Sequence, residues 1–107
     1  MRFSVNNKAA KKVIADGRTL RKSSVNVKYL DGSEYRYSAV LSRKQGSAVQ
    51  RNKVKRAIRE IMRLNEESYP PGFYIIFIKG QCKDFNRSRA KNDLDTISTN
   101  IPSGRTS

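Results

Sequence analysis

The sequence contains no histidine, no tryptophan and a single cysteine, Cys82. One cysteine cannot form a disulfide within the chain, which is typical of a reducing compartment. Without a histidine to activate it, Cys82 is interpreted as a small half-buried or exposed thiol rather than a nucleophile. The longest apolar run, Phe73 to Ile78, has the length of a strand and not of a membrane span. Because the N-terminus lacks the apolar segment of a signal peptide, we expect a cytoplasmic protein that does not bind membranes.

Acidic residues are also few: the chain has nine of them and 23 lysines and arginines, which gives a net charge of +14. They are scattered along the chain. Asp93 and Asp95 are close in sequence, but two residues at this spacing do not lie on the same face of a helix. A protein site that hydrolyses phosphodiesters usually needs clustered carboxylates to hold two metal ions. We therefore expect no catalytic residue on this chain and a polyanion as its partner.

The densest positive charge lies in residues 41–63, which hold eight basic residues and one acidic residue, Glu60. Ser47 followed three residues later by Gln50 is a capping box, which predicts that a helix begins there. At 100° per residue, the helix has an apolar side and a basic side. The apolar side holds Val54, Ala57, Ile58, Ile61 and Met62, and the opposite side holds Asn52, Lys53, Lys55, Arg56, Arg59 and Arg63.

A solvated helix face usually mixes charges, but here Arg51, Lys55, Arg59 and Arg63 follow one another at intervals of four. Each such like-charge pair costs about 0.2–0.5 kcal/mol, which indicates that the compensating charge comes from a nucleic acid. A simple solvated face, a DNA-binding module and a membrane-surface helix are the alternatives. Val54 and Ala57 would be weak anchors for a membrane.

Shorter patterns flank this helix. Residues 8–16 predict a helix that Asn6 or Asn7 caps and Gly17 ends, with a buried stripe of Ala9, Ala10, Val13 and Ile14.

Residues 25–29 and 35–41 alternate between apolar and polar side chains and predict a β-hairpin. A three-residue loop would set Val25, Val27 and Tyr29 opposite Ala39, Tyr37 and Tyr35 on one apolar face. Tyr35 and Tyr37 are then packing residues rather than base-stacking ones.

The C-terminal third begins with Pro70, Pro71 and Gly72, which stop the central helix and turn the chain. Residues 73–78 are continuously apolar and predict a strand buried on both faces. Strand, helix and strand in this order indicate a parallel crossover. Residues 84–97 fit a last helix with Phe85, Leu94 and Ile97 as apolar positions. We expect one domain over residues 1–98 and a flexible tail over 99–107.

Residues 42–60, SRKQGSAVQRNKVKRAIRE, resemble the signature of the bacterial ribonuclease P protein subunit. That signature is roughly Ser-Lys-Lys-x-Gly-x-Ala-Val-x-Arg-Asn-Arg-x-Lys-Arg-x-x-Arg-Glu, and nearly every fixed position matches in identity or charge. Lys53 stands where the family has an arginine, which keeps the charge but loses a bidentate guanidinium. The resemblance covers about residues 3–98. It implies an α/β sandwich of αβββαβα order, with a left-handed crossover through the central helix.

The resemblance also implies a role and a set of sites. The family assists a catalytic RNA that removes the 5′ leader of precursor tRNA, so the implied partners are the ribonuclease P RNA subunit and precursor tRNA. No obligate protein partner is implied, and Mg²⁺ would be bound mainly by the RNA. A ribosomal protein or RNA chaperone of the same fold is the alternative function. The implied RNA-subunit contacts are Arg43, Lys44, Arg51, Asn52, Lys53, Lys55, Arg56, Arg59 and Arg63.

A second site implied by the resemblance is a cleft between the first helix and the sheet, which binds the single-stranded leader. Cleft positions are commonly aromatic in the family, but the matching residues here are Ala10, Ile14, Val25 and Lys28. Tyr29 lies one place away and is expected to face the other side. This departure removes stacking worth about 1–3 kcal/mol per base, for which Lys28 would substitute a phosphate contact.

Overall fold

The computed structural model describes residues 7–101, which form three helices, four strands and two short 3₁₀ turns. In chain order they are α1 (Asn7–Asp16), β1 (Arg18–Arg21), β2 (Val25–Asp31), β3 (Tyr35–Val40), a first 3₁₀ turn (Arg43–Gln45), α2 (Ala48–Leu64), β4 (Gly72–Ile78), a second 3₁₀ turn (Cys82–Asp84) and α3 (Arg87–Asn100). The αβββαβα order implied by the resemblance is confirmed. β1 has only four residues, two of them charged, and shows no strand pattern of its own.

The four strands form one mixed sheet in the order β1-β2-β4-β3. β4 runs parallel to β3 and antiparallel to β2, so the predicted parallel crossover through α2 is confirmed. The predicted hairpin between β2 and β3 is wrong, because β4 lies between them and β2 pairs with β1 instead. The predicted common face is nevertheless correct. Tyr29 lies opposite Tyr74, and Tyr74 lies opposite Tyr37, so all three side chains point to the same side.

That side of the sheet packs against α2 and α3 and forms the main core. It contains all five tyrosines of the chain, whose neighbouring rings have centroids 5.1 to 6.1 Å apart: Tyr29, Tyr35, Tyr37, Tyr69 and Tyr74. The Tyr35 hydroxyl donates a hydrogen bond to the carbonyl of Met62, 2.6 Å away, and so fixes the end of α2 to β3. The prediction that Tyr35 and Tyr37 are packing residues is confirmed.

α1 covers part of the opposite side of the sheet, where Val13 and Ile75 are buried outside the main core. Gly17 ends α1 as predicted, and its N–H donates to the carbonyl of Val13 at 2.7 Å. Ile14 is 51% exposed, so its assignment to the buried stripe is wrong. Asn6, one of the two predicted caps, and the side chain of Ala9 lie outside the described residues.

α3 begins at Arg87, three residues later than predicted, because Asp84 belongs to the second 3₁₀ turn. The Asn86 side chain caps the helix by accepting a hydrogen bond from the N–H of Arg89 at 3.0 Å. The helix continues to Asn100, and Ile101 is buried in the core, so the folded domain extends beyond residue 98. The predicted tail from 102 onward lies outside the described residues. Cys82 is buried, which is deeper than the half-buried or exposed position expected for it.

Candidate nucleic-acid interface

The start of α2 is fixed by the capping box that the sequence predicts. The Ser47 hydroxyl accepts a hydrogen bond from the N–H of Gln50 at 3.1 Å. The Gln50 side chain in turn accepts one from the N–H of Ser47 at 2.9 Å. These two bonds satisfy donors that the first turn of a helix leaves unpaired, so the helix has a defined first residue.

The two sides of α2 differ as predicted. Val54, Ile58, Ile61 and Met62 are buried against the sheet and α3, and Ala57 is half-buried beside them. The other side carries the exposed residues Asn52, Lys53, Arg56, Arg59 and Arg63, flanked by the half-buried Arg51 and Lys55. The buried side fixes the helix on the core. The exposed side therefore presents its cations on a rigid element about 25 Å long.

Few carboxylates neutralise these cations. Glu60 lies 3.7 Å from the guanidinium of Arg63 and 3.4 Å from that of Arg87 on α3. Within residues 7–101, the remaining α2 cations form no ion pair with a carboxylate: Arg51, Lys53, Lys55, Arg56 and Arg59. Their charges add to a positive potential along the helix that an anionic ligand can neutralise.

The loop before α2 brings Arg43 and Lys44 next to the same end of the helix. Gln45 fixes this loop, because its side-chain amide donates hydrogen bonds to the carbonyls of Ile78 and Gly80, each at 2.7 Å. Its side-chain oxygen accepts a hydrogen bond from the N–H of Ser42, also at 2.7 Å. Arg43 and Lys44 are exposed on the 3₁₀ turn between these anchors. They extend the positive surface beyond the first turn of α2.

Arg51 is the most constrained of the candidate contacts. Its Nε donates a hydrogen bond to the carbonyl of Gly46 at 3.1 Å, which joins α2 to the preceding loop. The guanidinium has further N–H groups that can bind an anion. Arg51 therefore combines a structural role with its candidate binding role.

The ring of Tyr37 lies close to Arg59 and Arg63 on the basic side of α2. Burial is the main cause that raises the pKa of its hydroxyl, and the charge of Glu66 raises it further. The guanidinium groups of Arg59 and Arg63 oppose this effect, but the net pKa stays above the ordinary value of 10.0. Tyr37 is therefore neutral at physiological pH and adds no negative charge to the basic surface.

The candidate leader cleft is only partly assembled from the residues predicted for it. Ala10 and Ile14 lie on α1, and Lys28 lies opposite Ile75 on the side of the sheet that α1 covers. The assignment of Val25 to the cleft is wrong. Val25 lies three residues from Lys28 on β2, so its side chain points to the other face of the sheet. It is completely buried in the main core, so it cannot line the cleft.

Two aromatic residues on this face were missed by the sequence reasoning. Phe73 and Phe77 of β4 flank Ile75 at intervals of two, so they point to the same side as Lys28. Both are half-buried, whereas a continuously apolar strand predicts complete burial. The alternation of side chains in a strand could have indicated this, because it places every second residue of β4 on the side that α1 covers. This face of the sheet therefore has aromatic side chains, but on β4 instead of on α1 and β2.

The described residues do not fit a resident metal ion. Between residues 7 and 101, no group of three or more histidine, cysteine, aspartate or glutamate side chains could hold one. Over the same span, every helix is too short or too polar to span a lipid bilayer.

Comparison with known proteins identifies the family. The family model described as Ribonuclease P matches residues 5–101, which include every described helix and strand. The chain belongs to the ribonuclease P protein family. The two candidate surfaces thus both lie within the part of the chain that this family shares.

Individual members of the ribonuclease P protein family agree in sequence and fold. The ribonuclease P protein component of Coprothermobacter proteolyticus is 37% identical over 65 residues, or 61% of this chain and 55% of that protein. The component of an Exiguobacterium species is 30% identical over 93 residues, or 85% of this chain and 82% of that protein. The RNase P protein from Thermotoga maritima has a TM-score of 0.81 at 24% identity, covering 95% of this chain and 98% of that chain, which shows the common fold. The chain spans little more than half the length of the Coprothermobacter relative.

Proposed function

We propose that this chain is the protein subunit of a bacterial ribonuclease P, which binds the RNA subunit and promotes removal of the 5′ leader from precursor tRNA. The observation that carries the proposal is the row of α2 cations without carboxylate partners among the described residues. These cations lie on a helix whose other side is fixed in the core. Membership of the ribonuclease P protein family supports an RNA as the source of the missing negative charge.

The proposed RNA-subunit contacts lie on α2 and on the loop before it: Arg43, Lys44, Arg51, Asn52, Lys53, Lys55, Arg56, Arg59 and Arg63. Arginine guanidinium groups suit phosphates because they donate two parallel hydrogen bonds, whereas a lysine acts as a point charge. Asn52 adds a neutral group that can donate and accept hydrogen bonds. Because these side chains extend from a rigid helix, they bind phosphates at fixed spacings rather than as a flexible tail.

The energetic contribution of this surface is the release of counterions from RNA. If the protein neutralises about eight phosphates, the logarithm of its affinity falls with the logarithm of salt concentration with a slope of about −6 to −7. That dependence is strong enough to identify the contact as electrostatic. It also predicts that single neutralising substitutions act almost independently of RNA sequence.

The chemical step is assigned to the RNA. The described residues contain no cluster of carboxylates, so the protein would contribute charge neutralisation and positioning to the endonucleolytic reaction. Mg²⁺ would be bound mainly by the RNA. By screening repulsion between the RNA subunit and its RNA substrate, the protein lowers the concentration of Mg²⁺ that the holoenzyme requires.

The leader is proposed to bind on the opposite side of the sheet. Ala10, Ile14 and Lys28 are retained from the implied cleft, and Phe73 and Phe77 replace the missing aromatic residues. Aromatic side chains bind single strands by stacking on bases, and a lysine binds the connecting phosphate. The two RNAs would then lie on opposite sides of the sheet, so the protein bridges the RNA subunit and its substrate.

Filter binding of a labelled bacterial ribonuclease P RNA, between about 50 and 200 mM salt, tests the interface on α2. We expect Arg56→Ala and Arg59→Ala each to weaken binding and to make the salt slope less steep by about 1. Lys91→Ala is the matched control, because it removes the same charge from a side chain that Asp95 already neutralises at 2.9 Å. Equal affinities and slopes for wild type and the two arginine variants would contradict the interface.

A further inference from the structure

A small pocket lies between β3 and α2, beside the basic surface. It has a volume of about 180 Å³ and is lined by Tyr37, Ser38, Ala39, Lys55, Ile58 and Arg59. β3 is the last strand of the sheet, so no further strand from residues 7–101 covers this side. The pocket therefore opens where the sheet ends and α2 crosses it.

The floor of the pocket is formed by core residues that leave only a small apolar area accessible. Ile58 is completely buried and Tyr37 is 5% exposed, so both belong to the core. Ala39 lies in register with Ile76 on the neighbouring strand, where a larger side chain would extend toward α2. The small methyl group of Ala39 leaves the space that forms the pocket. A small apolar floor between polar walls favours a flat ring with polar edges over a hydrated ion.

The mouth of the pocket is positive. Lys55 and Arg59 lie one helical turn apart, and neither forms an ion pair with any carboxylate in residues 7–101. Glu60, the only acidic residue of α2, is paired with Arg63 and Arg87. A ligand that fits the site thus has an apolar part for the floor and a negative charge for the mouth.

The size of the pocket narrows the choice of ligand. Pockets for drug-sized molecules usually enclose about 300–1,000 Å³, so this pocket suits one ring system rather than a larger molecule. A nucleotide has a flat ring next to a phosphate, which matches both the floor and the mouth. A base inside an RNA duplex is stacked and paired, so the ligand must be an unpaired nucleotide.

We infer that the pocket holds one unpaired base of RNA, while Lys55 and Arg59 bind the adjoining phosphate. This inference rests on the proposed function, since the same face of α2 would bind the RNA subunit. The inference adds one contact with a base to the proposed function. The other proposed contacts of α2 are with phosphates. Such a contact would fix the position of the protein on the RNA, because phosphates are alike along the chain.

Titration with single nucleotides, followed by NMR of the isotopically labelled protein, tests the inference without any RNA subunit. We expect uridine monophosphate to shift the methyl signals of Ala39 and Ile58. Ribose 5-phosphate at the same concentration should shift signals near Lys55 and Arg59 and leave those methyl signals in place. Identical shifts with the two ligands, or shifts confined to Lys28, Phe73 and Phe77, would overturn the inference.

Filling the pocket provides a second test. Ala39→Leu should remove the response of the Ile58 methyl group to uridine monophosphate and keep the response to ribose 5-phosphate. Ala48→Leu makes the same change at an exposed position outside the pocket and should behave like wild type. If Ala39→Leu does not fold, the comparison of uridine monophosphate with ribose 5-phosphate on the wild-type protein still tests the inference. A negative titration with normal stimulation of precursor cleavage would reject the pocket and leave the proposed function standing.

Discussion

The carboxylate of Asp93 accepts a hydrogen bond from the backbone N–H of Ser24, 3.0 Å away. The hydroxyls of Ser23 and Ser24 donate to the same oxygen. This contact joins α3 to the turn between β1 and β2, across 69 positions of the sequence. Asp93 is only 8% exposed, and the contact connects the edge of the sheet to the last helix in a partly buried position.

We expect Asp93→Ala to lower the free energy of unfolding by about 1–3 kcal/mol, because the N–H of Ser24 loses its partner. Urea denaturation measures the change. Asp84→Ala is a suitable control, since Asp84 is exposed on the second 3₁₀ turn, and its effect should stay within about 0.5 kcal/mol. Equal losses in the two variants would show that the contact with Ser24 is not what stabilises the fold here.

The same contact predicts a dependence on pH. Burial raises the pKa of the Asp93 carboxyl, but the hydrogen bonds from Ser24 and Ser23 and the charge of Lys22 outweigh it. The net pKa lies below the ordinary value of 3.8, so the folded state favours the carboxylate. Its contribution is complete above that value and is lost as pH falls through the folded pKa. The stability difference between wild type and Asp93→Ala should therefore shrink as pH falls below about 4; a constant difference would contradict this assignment.

Glu60 is predicted to weaken RNA binding, because its carboxylate neutralises Arg63 and Arg87. Glu60→Gln should raise the affinity for the RNA subunit and make the salt slope steeper by about 1. Exposed ion pairs contribute only about 0–1 kcal/mol, so stability should change little. Glu67→Gln makes the same change of charge at an exposed position beyond the helix and should have a smaller effect. Equal gains in the two variants would point to net charge rather than to Glu60.

Gly17 is predicted to tolerate no side chain. A Cβ at this position would lie 2.4 Å from the carbonyl oxygen of Val13 and 2.6 Å from that of Tyr29. Since both atoms belong to the backbone, Gly17→Ala must displace α1 from β2, at a cost of about 1–3 kcal/mol. At Gly32 the nearest atom to a Cβ is 3.5 Å away, so Gly32→Ala serves as the control in thermal unfolding. Similar transition temperatures for the two variants would contradict the close approach.

Local patterns were sufficient to predict α2 and its two sides. The capping box of Ser47 and Gln50 and the spacing of Val54, Ile58 and Ile61 depend only on neighbours within two turns. The alternation in β2 and β3 similarly predicted which side chains face the core. Such features are encoded within a short stretch of chain, so sequence reasoning recovered them.

Strand pairing and the cleft depend on distant parts of the chain. β4 begins at Gly72, 32 positions after β3 ends at Val40, yet it lies between β2 and β3. No local signal shows this insertion, so the predicted hairpin was wrong. For Val25, the strand period alone would have shown that it faces away from Lys28. The RNA contacts on α2 and in the loop before it are a prediction that the fold leaves to experiment.

Cleavage of precursor tRNA by a bacterial ribonuclease P RNA at low Mg²⁺, with and without this protein, tests the central claim most directly. We expect product with the correct mature 5′ end only when both components are present. Arg59→Ala should need a higher protein concentration for the same stimulation, and Lys91→Ala should match wild type. Tight binding of the RNA subunit without any stimulation of cleavage would contradict the proposed function.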